Sequence, residues 1–280
     1  MNKWLAFVAA ILFLSFPLQA EVKPFVELWN HGAYYATNVE RNNFSALLGR
    51  YEGKIGVNPL ESQILQVYGV YYGTASQAND YWDNSLYYGV GVRSKPFEKY
   101  AGRGWADEWF RDIKIYVETL NSVYFKDAAS GEANRRNDSR YGLELWHEWN
   151  LDNPDTNNFW GEVWSNLAYR STNFSYSDLN KYILYFQPKI GRHLGRGIEP
   201  YLRLDYTTSG SNDYWLNMAN YGLGIRFEPW RTVEKEDNLL KKFKMFAEVL
   251  KVNYLKDVPA DPNKVISRDV KFGIEFSMGR

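Results

Sequence analysis

Ten charged residues fall into two matching sets: Arg93, Lys114, Glu118, Arg140 and Glu144 are answered by Arg226, Lys244, Glu248, Lys271 and Glu275. Each sits on the polar phase of a segment whose other phase is apolar. Interleaved acids and bases of this kind can do two things. They can pair across an enclosed space and brace it, or they can line a wet path. In a path, Trp29, Trp164, Tyr116 and Phe246 would offer flat faces to sugar rings while charges and amides bind hydroxyls. The two uses are compatible.

Other chemistry finds less support in the residue pattern. Nucleophilic catalysis needs a nucleophile, a base and an orienting group within hydrogen-bond reach. There are three histidines: His31 early in an apolar-periodic segment, His147 in ELWHEWN, and His193 in the turn-like GRHLG. None is followed two residues later by serine, and none recurs at the matching place in the other half. His147 with Glu148 is the least implausible catalytic pair, and no catalytic residue is assigned. Asp83, Asp152 and Asp155 look like solvated loop carboxylates, so neither a metal nor a cofactor is expected. Gly-x-Gly at Gly89/Gly91 and Gly222/Gly224 lies inside apolar-periodic segments with no helix after it, which argues against a nucleotide loop. Net charge is zero, with 33 basic and 33 acidic residues, which offers nothing to nucleic acid.

The elements that must position these residues come in duplicate. NDYWDNSLYYGVGVRSKPF (79–97) returns as NDYWLNMANYGLGIRFEPW (212–230). Glu27-Leu-Trp29 returns as Glu162-Val-Trp164, Lys54-Ile-Gly56 as Lys189-Ile-Gly191, IKIYVETLNSVYFKD as FKMFAEVLKVNYLKD, and Arg140-Tyr-Gly-Leu-Glu144 as Lys271-Phe-Gly-Ile-Glu275. The segments keep their order and nearly their spacing, so the chain divides into related halves at about 25–150 and 160–280. Within each half the apolar period is two, the strand signature. Leu86, Tyr88, Val90 and Val92 share one face; Tyr87, Gly89, Gly91 and Arg93 share the other. Strands are expected near 25–37, 44–57, 62–76, 84–97, 109–127, 137–150, 158–173, 178–192, 198–209, 214–230, 238–257 and 266–279, six per half.

The apolar face could pack against a second sheet in a soluble sandwich. The opposite face, however, mixes Gly, Tyr, Trp, Arg and Glu, as an enclosed polar interior would. Residues 1–20 read as a secretory signal peptide, with Asn2 and Lys3 before an apolar run from Trp4 to Phe16 and a small residue, Ala20, for cleavage. That run is too short to span a bilayer as a helix, and no cysteine is available to staple an exported chain. Aromatics make up 18% of residues, and twelve alternating strands are an even number. The expected fold class is therefore all-β: a transmembrane antiparallel β-barrel of about twelve strands, built from two related six-strand halves. Closure leaves no unpaired edge for lipid to meet. The expected location is the outer membrane of a Gram-negative bacterium, with its lipid as partner. Tyr81, Trp82, Tyr214 and Trp215 would begin strands and Phe97 and Trp230 end them, at interfacial girdles. In the last strand Phe272, Ile274, Phe276 and Met278 would point outward, with Phe276 carrying the assembly signal.

YYGVGVRSKPF, DIKIYVETL, RYGLELWHEW, FWGEVWSNLAYRSTNF and IEPYLRLDYTTSGSNDYWLNMANYGLGIRFEPW together resemble the C-terminal barrel of the bacteriophage adsorption protein A (NfrA-like) outer-membrane family, over roughly residues 84 to 231. The resemblance implies a role in secretion of a surface polysaccharide, with use as a phage receptor as a further possibility. Members place long helical repeats before the barrel. Here the barrel follows the leader almost directly, so a separate periplasmic scaffold protein would be a partner. The function expected is non-catalytic passage of a polysaccharide or other extended polar solute. A small-solute porin, a closed-lumen structural or receptor barrel, and a membrane-embedded lipid-modifying enzyme are the alternatives.

Overall fold

A computed structural model describes residues 22–37, 46–60, 64–78, 83–98, 105–126, 135–151, 158–173, 180–231, 239–256, 258 and 266–279. The expected leader at 1–20 and Tyr81, Trp82, Asp152 and Asp155 lie outside them. Twelve strands form one closed antiparallel barrel in which each pairs with its chain neighbours and the first pairs with the last. They are β1 (Lys23–Thr37), β2 (Ala46–Asn58), β3 (Leu65–Ser76), β4 (Ser85–Ser94), β5 (Ile113–Tyr124), β6 (Arg135–Trp149), β7 (Phe159–Thr172), β8 (Tyr182–Arg192), β9 (Ile198–Ser209), β10 (Met218–Phe227), β11 (Phe243–Tyr254) and β12 (Arg268–Met278). Antiparallel pairing of β1 with β12 closes the ring, with Leu28 opposite Met278 and Thr37 opposite Asp269. With an even number of strands both chain ends emerge at one rim, the terminal rim; the other is the loop rim.

Alternation decides the two surfaces. Val90 and Leu223 are each 65% exposed, whereas Arg93 is 1% exposed, so the apolar phase faces outward and the charged phase inward. Ile55, Leu202, Val249, Phe272 and Ile274 continue the outer belt. Buried apolar clusters are small: Tyr68, Val70 and Leu120 pack with Phe25, Tyr72 and Tyr87 inside the first half. A soluble sandwich would have shown the reverse, with its apolar phase buried between two sheets. A bimane probe on cysteine at position 90 or 223 is expected to be strongly quenched by lipid brominated on its acyl chains. The same probe at position 220 is expected to be little affected. Equal quenching at all three would contradict this phase.

Several strand boundaries differ from the sequence expectation for local reasons. Residues 105–111 form a short helix, α1 (Trp105–Arg111), so β5 starts at Ile113 rather than 109. A 3₁₀ turn, Leu239–Lys242, likewise delays β11 to Phe243. Another, Tyr214–Leu216, takes Tyr214 and Trp215 out of β10, and Asn217 organises it. The Asn217 side-chain amide donates to the Ser211 and Asp213 carbonyls, while its oxygen accepts from Ser209 N–H. Asn84 holds the matching first-half corner through the Ala78 carbonyl and Ser76 N–H. Lys126 and Lys256 then clamp these corners by donating to the Ser76 and Ser209 carbonyls at 2.9 and 3.2 Å.

Exposed aromatics stand near both rims, Phe97, Phe110, Phe159 and Trp230 at the terminal rim and Phe125, Tyr182 and Trp215 at the loop rim. On the outer wall the Phe243 ring lies tilted against Phe276 at 4.8 Å and edge-to-face with Trp230 at 6.3 Å. Phe276 thus joins the closing strand to its neighbour's aromatic patch. Phe276→Ala is expected to lower the yield of heat-modifiable, folded protein in vesicle refolding, and parent-like yield would contradict it.

Candidate functional site

The interior is two versions of one arrangement, and they end differently. At the terminal rim of the first half, Arg93 on β4 forks onto Glu27 on β1, with 2.8 Å for one limb, and donates its Nε hydrogen to Gln66 on β3. The guanidinium lies 5.2 Å from the Phe25 ring. In the second half Arg226 on β10 meets Glu162 on β7 at 3.4 Å and Glu199 on β9 at 2.7 Å, and lies 4.1 Å from the Trp160 ring. Every partner is the repeat equivalent of the first. Close approach fixes the neighbouring glycines: a Cβ at Gly91 would collide with the Tyr68 ring, and one at Gly224 with Tyr201. Those rings reach across to carboxylates, Tyr68 donating to Glu118 at 3.0 Å and Tyr201 to Glu248 at 2.7 Å.

Above this level the halves part. In the first, Tyr72 donates to both oxygens of Glu118 at 2.9 and 3.0 Å, and its ring lies 4.9 Å from the Arg140 guanidinium. Arg140 and Arg170 both hold Asp138, at 3.0 and 2.9 Å. Lys54 reaches Glu144 at 3.3 Å, and Tyr116 donates to Asn166. These side chains fill the interior beside β3, β4 and β5. In the second, Val70 is replaced by Arg203, Tyr72 by Asp205 and Tyr87 by Asn220, and a cavity of about 580 Å³ opens along β7–β12 and across to β1 and β2. It extends from Asp83 and Ile266 at loop level down to the Arg226 and Glu162 side chains.

The predicted charged set therefore divides by half. Arg226, Lys244, Glu248, Lys271 and Glu275, with Trp29, Trp164 and Phe246, border the cavity. Arg93, Glu118, Arg140 and Tyr116 point inward too but are held by their neighbours, and Lys114 is buried beside them. Glu144 shares only a gap of about 10 Å³ with Trp29 and Lys54. The paired charges are desolvated with partners at hand, which is the condition under which buried ions are tolerable. Six basic residues and seven carboxylates border the cavity, so its walls carry no strong field of either sign. Its aromatic faces stand together: Trp164 lies 5.9 Å from Tyr185, and His31 packs 4.9 Å from Phe246 and 5.5 Å from Trp29.

Sequence reasoning missed Arg203, Asp205, Asn220 and Asp269. The signal was present, since each stands where the repeat loses its match or lies one strand step from a matched charge. The histidines have separate surroundings. His147 faces outward under Trp109 of α1 at 4.3 Å and bonds Asp112 at 2.8 Å. Glu148 bonds the Trp146 indole on the other face, so His147 and Glu148 do not form a pair. His193 links Glu199 to the Asn150 carbonyl, at 2.6 and 2.9 Å. Among the described residues no group of three or more His, Cys, Asp or Glu side chains is placed to hold a metal ion.

A closed twelve-stranded barrel with an apolar belt and a charged, aromatic-lined interior is the class that fold and site define. The sequence matches no protein-family model and no curated protein. Among solved structures, the chain is similar in fold to the KdgM porin in complex with disordered oligogalacturonate, at 10% identity, 90% of this chain, 99% of that one and TM-score 0.39. It is similar to the beta domain of the Bordetella autotransporter BrkA, at 12% identity, 92% and 99% coverage and TM-score 0.39. It is also similar to the COG4313 outer membrane channel from Pseudomonas putida F1, at 8% identity, 94% and 97% coverage and TM-score 0.37.

Proposed function

We propose that this protein spans a Gram-negative outer membrane and passes a polar solute, an extended sugar chain among the candidates, through the cavity of its second half without chemical change. The observation that carries the proposal is the divergence of the two repeats: the interior beside β3 to β5 is filled, whereas that beside the matching strands β9 to β11, on the same framework, is left open toward β1 and β2 and lined with aromatic faces and paired charges. An exposed apolar belt is satisfied by hydrocarbon, and ring closure leaves no strand edge open to it. With both chain ends on the periplasmic side, the loop rim would face outward. Export of a surface polysaccharide, with a separate periplasmic scaffold protein, follows from the resemblance to the phage adsorption family and belongs to the same proposal.

Osmotic swelling of vesicles carrying the purified protein tests passage. Sugars are expected to enter at rates that fall steeply as the solute grows from mono- to tetrasaccharide. Vesicles that do not swell in any sugar would favour a closed receptor or structural barrel, a reading to which the packed first half and the Arg226 knot give some weight.

A further inference from the structure

The repeat provides an internal comparison for one cluster. In the first half Asp138 accepts from Arg170 through both oxygens, at 3.0 and 2.9 Å, and from Arg140. Arg170 stands opposite Arg140 across β6 and β7. The second half repeats Asp138 as Asp269 and Arg140 as Lys271, and Lys271 lies 3.3 Å from Asp269. The residue opposite Lys271 across β12 and β1 is Tyr35. The second cation of the first half therefore has no counterpart, and Asp269 Oδ1 is buried without a hydrogen-bond partner.

The remaining substitutions act in the same direction. Asp205 adds a third carboxylate where Tyr72 stood, and Arg203 is engaged by Asp205 at 2.7 Å and by Glu248 at 2.6 Å. Glu248 Oε2 has no hydrogen bond and stands 4.0 Å from Lys271. Asn220 Oδ1, opposite Asp205 across β9 and β10, also lacks a donor. Arg203 and Lys271 meet these three carboxylates directly, Arg50 stands near Asp205 and Lys189 near Glu248 at longer range, and three acceptors are still unfilled at residues that are each more than nine-tenths buried. All of them border the cavity. The first half balances two carboxylates, Glu118 and Asp138, with two guanidiniums. Unfilled buried acceptors are costly, and native interiors keep few of them. What this cluster lacks is a group that donates several hydrogen bonds to these acceptors at once.

We infer that the Asp205–Asn220–Glu248–Asp269 cluster is a binding site for a protonated amine carried by the solute, seated where Arg170 sits in the first half. This deepens the passage proposal but is read out by binding, so a barrel that binds without conducting would overturn passage and leave the site standing. The amine could belong to an amino sugar or to an aliphatic polyamine.

Calorimetric titration of the full-length protein in detergent micelles separates these. Glucosamine is expected to bind at least about tenfold more tightly than N-acetylglucosamine, the loss expected when one charge-assisted contact is removed. Spermidine binding without glucosamine binding would uphold the amine and assign it to a polyamine. Asp269→Asn is expected to weaken the bound amine at least about tenfold, whereas Asp138→Asn, in the packed half, is expected to leave affinity unchanged. Tyr35→Arg restores the missing guanidinium from within and is expected to abolish binding while the barrel stays heat-modifiable. It also keeps the test valid if Asp269→Asn does not fold. No binding by either amine, or binding unchanged in a folded Asp269→Asn or Tyr35→Arg variant, would overturn the inference.

Discussion

Arg226→Ala is expected to destabilise the barrel by about 3 to 5 kcal/mol, the range found when one member of a buried ion pair is removed. Arg226 is 5% exposed and is held between Glu162 and Glu199, with Glu228 3.6 Å away. Lys189 still reaches Glu162 at 2.5 Å, and Arg231 still reaches Glu199, so neither carboxylate is left wholly alone. The Trp160 face does lose its cation, however, and Glu199 loses the donor that joins β9 to β10. Arg231→Ala makes a useful comparison, because Arg231 lies at the rim and is expected to cost less. Urea unfolding in lipid vesicles, followed by tryptophan fluorescence, measures both. A loss for Arg226→Ala of less than about 1 kcal/mol, the ordinary value of an exposed pair, would show that the knot is hydrated rather than buried.

The second large effect concerns the packed half. Val70→Arg, Tyr72→Asp and Tyr87→Asn together transplant the second-half residues into the first. Tyr72 fills the space between Glu118 and Arg140, and the Tyr87 ring lies 5.5 and 5.7 Å from Arg140 and Arg170. Removing both rings is expected to cost about 3 to 5 kcal/mol, as large-to-small aromatic truncations do in close-packed interiors, and to open a second water-filled space. The triple variant should therefore carry a larger single-channel current than the parent, and it should unfold at lower urea. An unchanged current at reduced stability would mean that these rings are packing only and that the path is set elsewhere.

The fold was legible because a barrel wall imposes a period of two on every strand, and twelve segments kept it. The outward Val90 and Leu223 and the inward Arg93 and Arg226 could be assigned from alternation alone. Strand ends at Ile113, Met218 and Phe243 were harder, because the preceding turns continue aromatic or apolar residues without breaking the period. The candidate site was half legible. Duplication pointed to the charges that recur, and those recurring residues form the shared framework of both interiors. A cavity arises where recurrence fails, at Val70/Arg203, Tyr72/Asp205 and Tyr87/Asn220. Asp269 was legible only in relation to Arg170 and Tyr35, because the missing cation lies on a strand more than two hundred residues away in the chain. That contact exists only because β1 closes against β12.

The central claim is that solute passes through the second half and not the first, and the absence of cysteine from the chain makes it directly measurable. Single-channel current is recorded in planar bilayers for Asn220→Cys and for its repeat counterpart Tyr87→Cys, before and after a charged, water-soluble thiol reagent. The account predicts a measurable current in both, a marked fall on modification at position 220, and no change at position 87. A parent that carries no current, or equal block at the two positions, would contradict it.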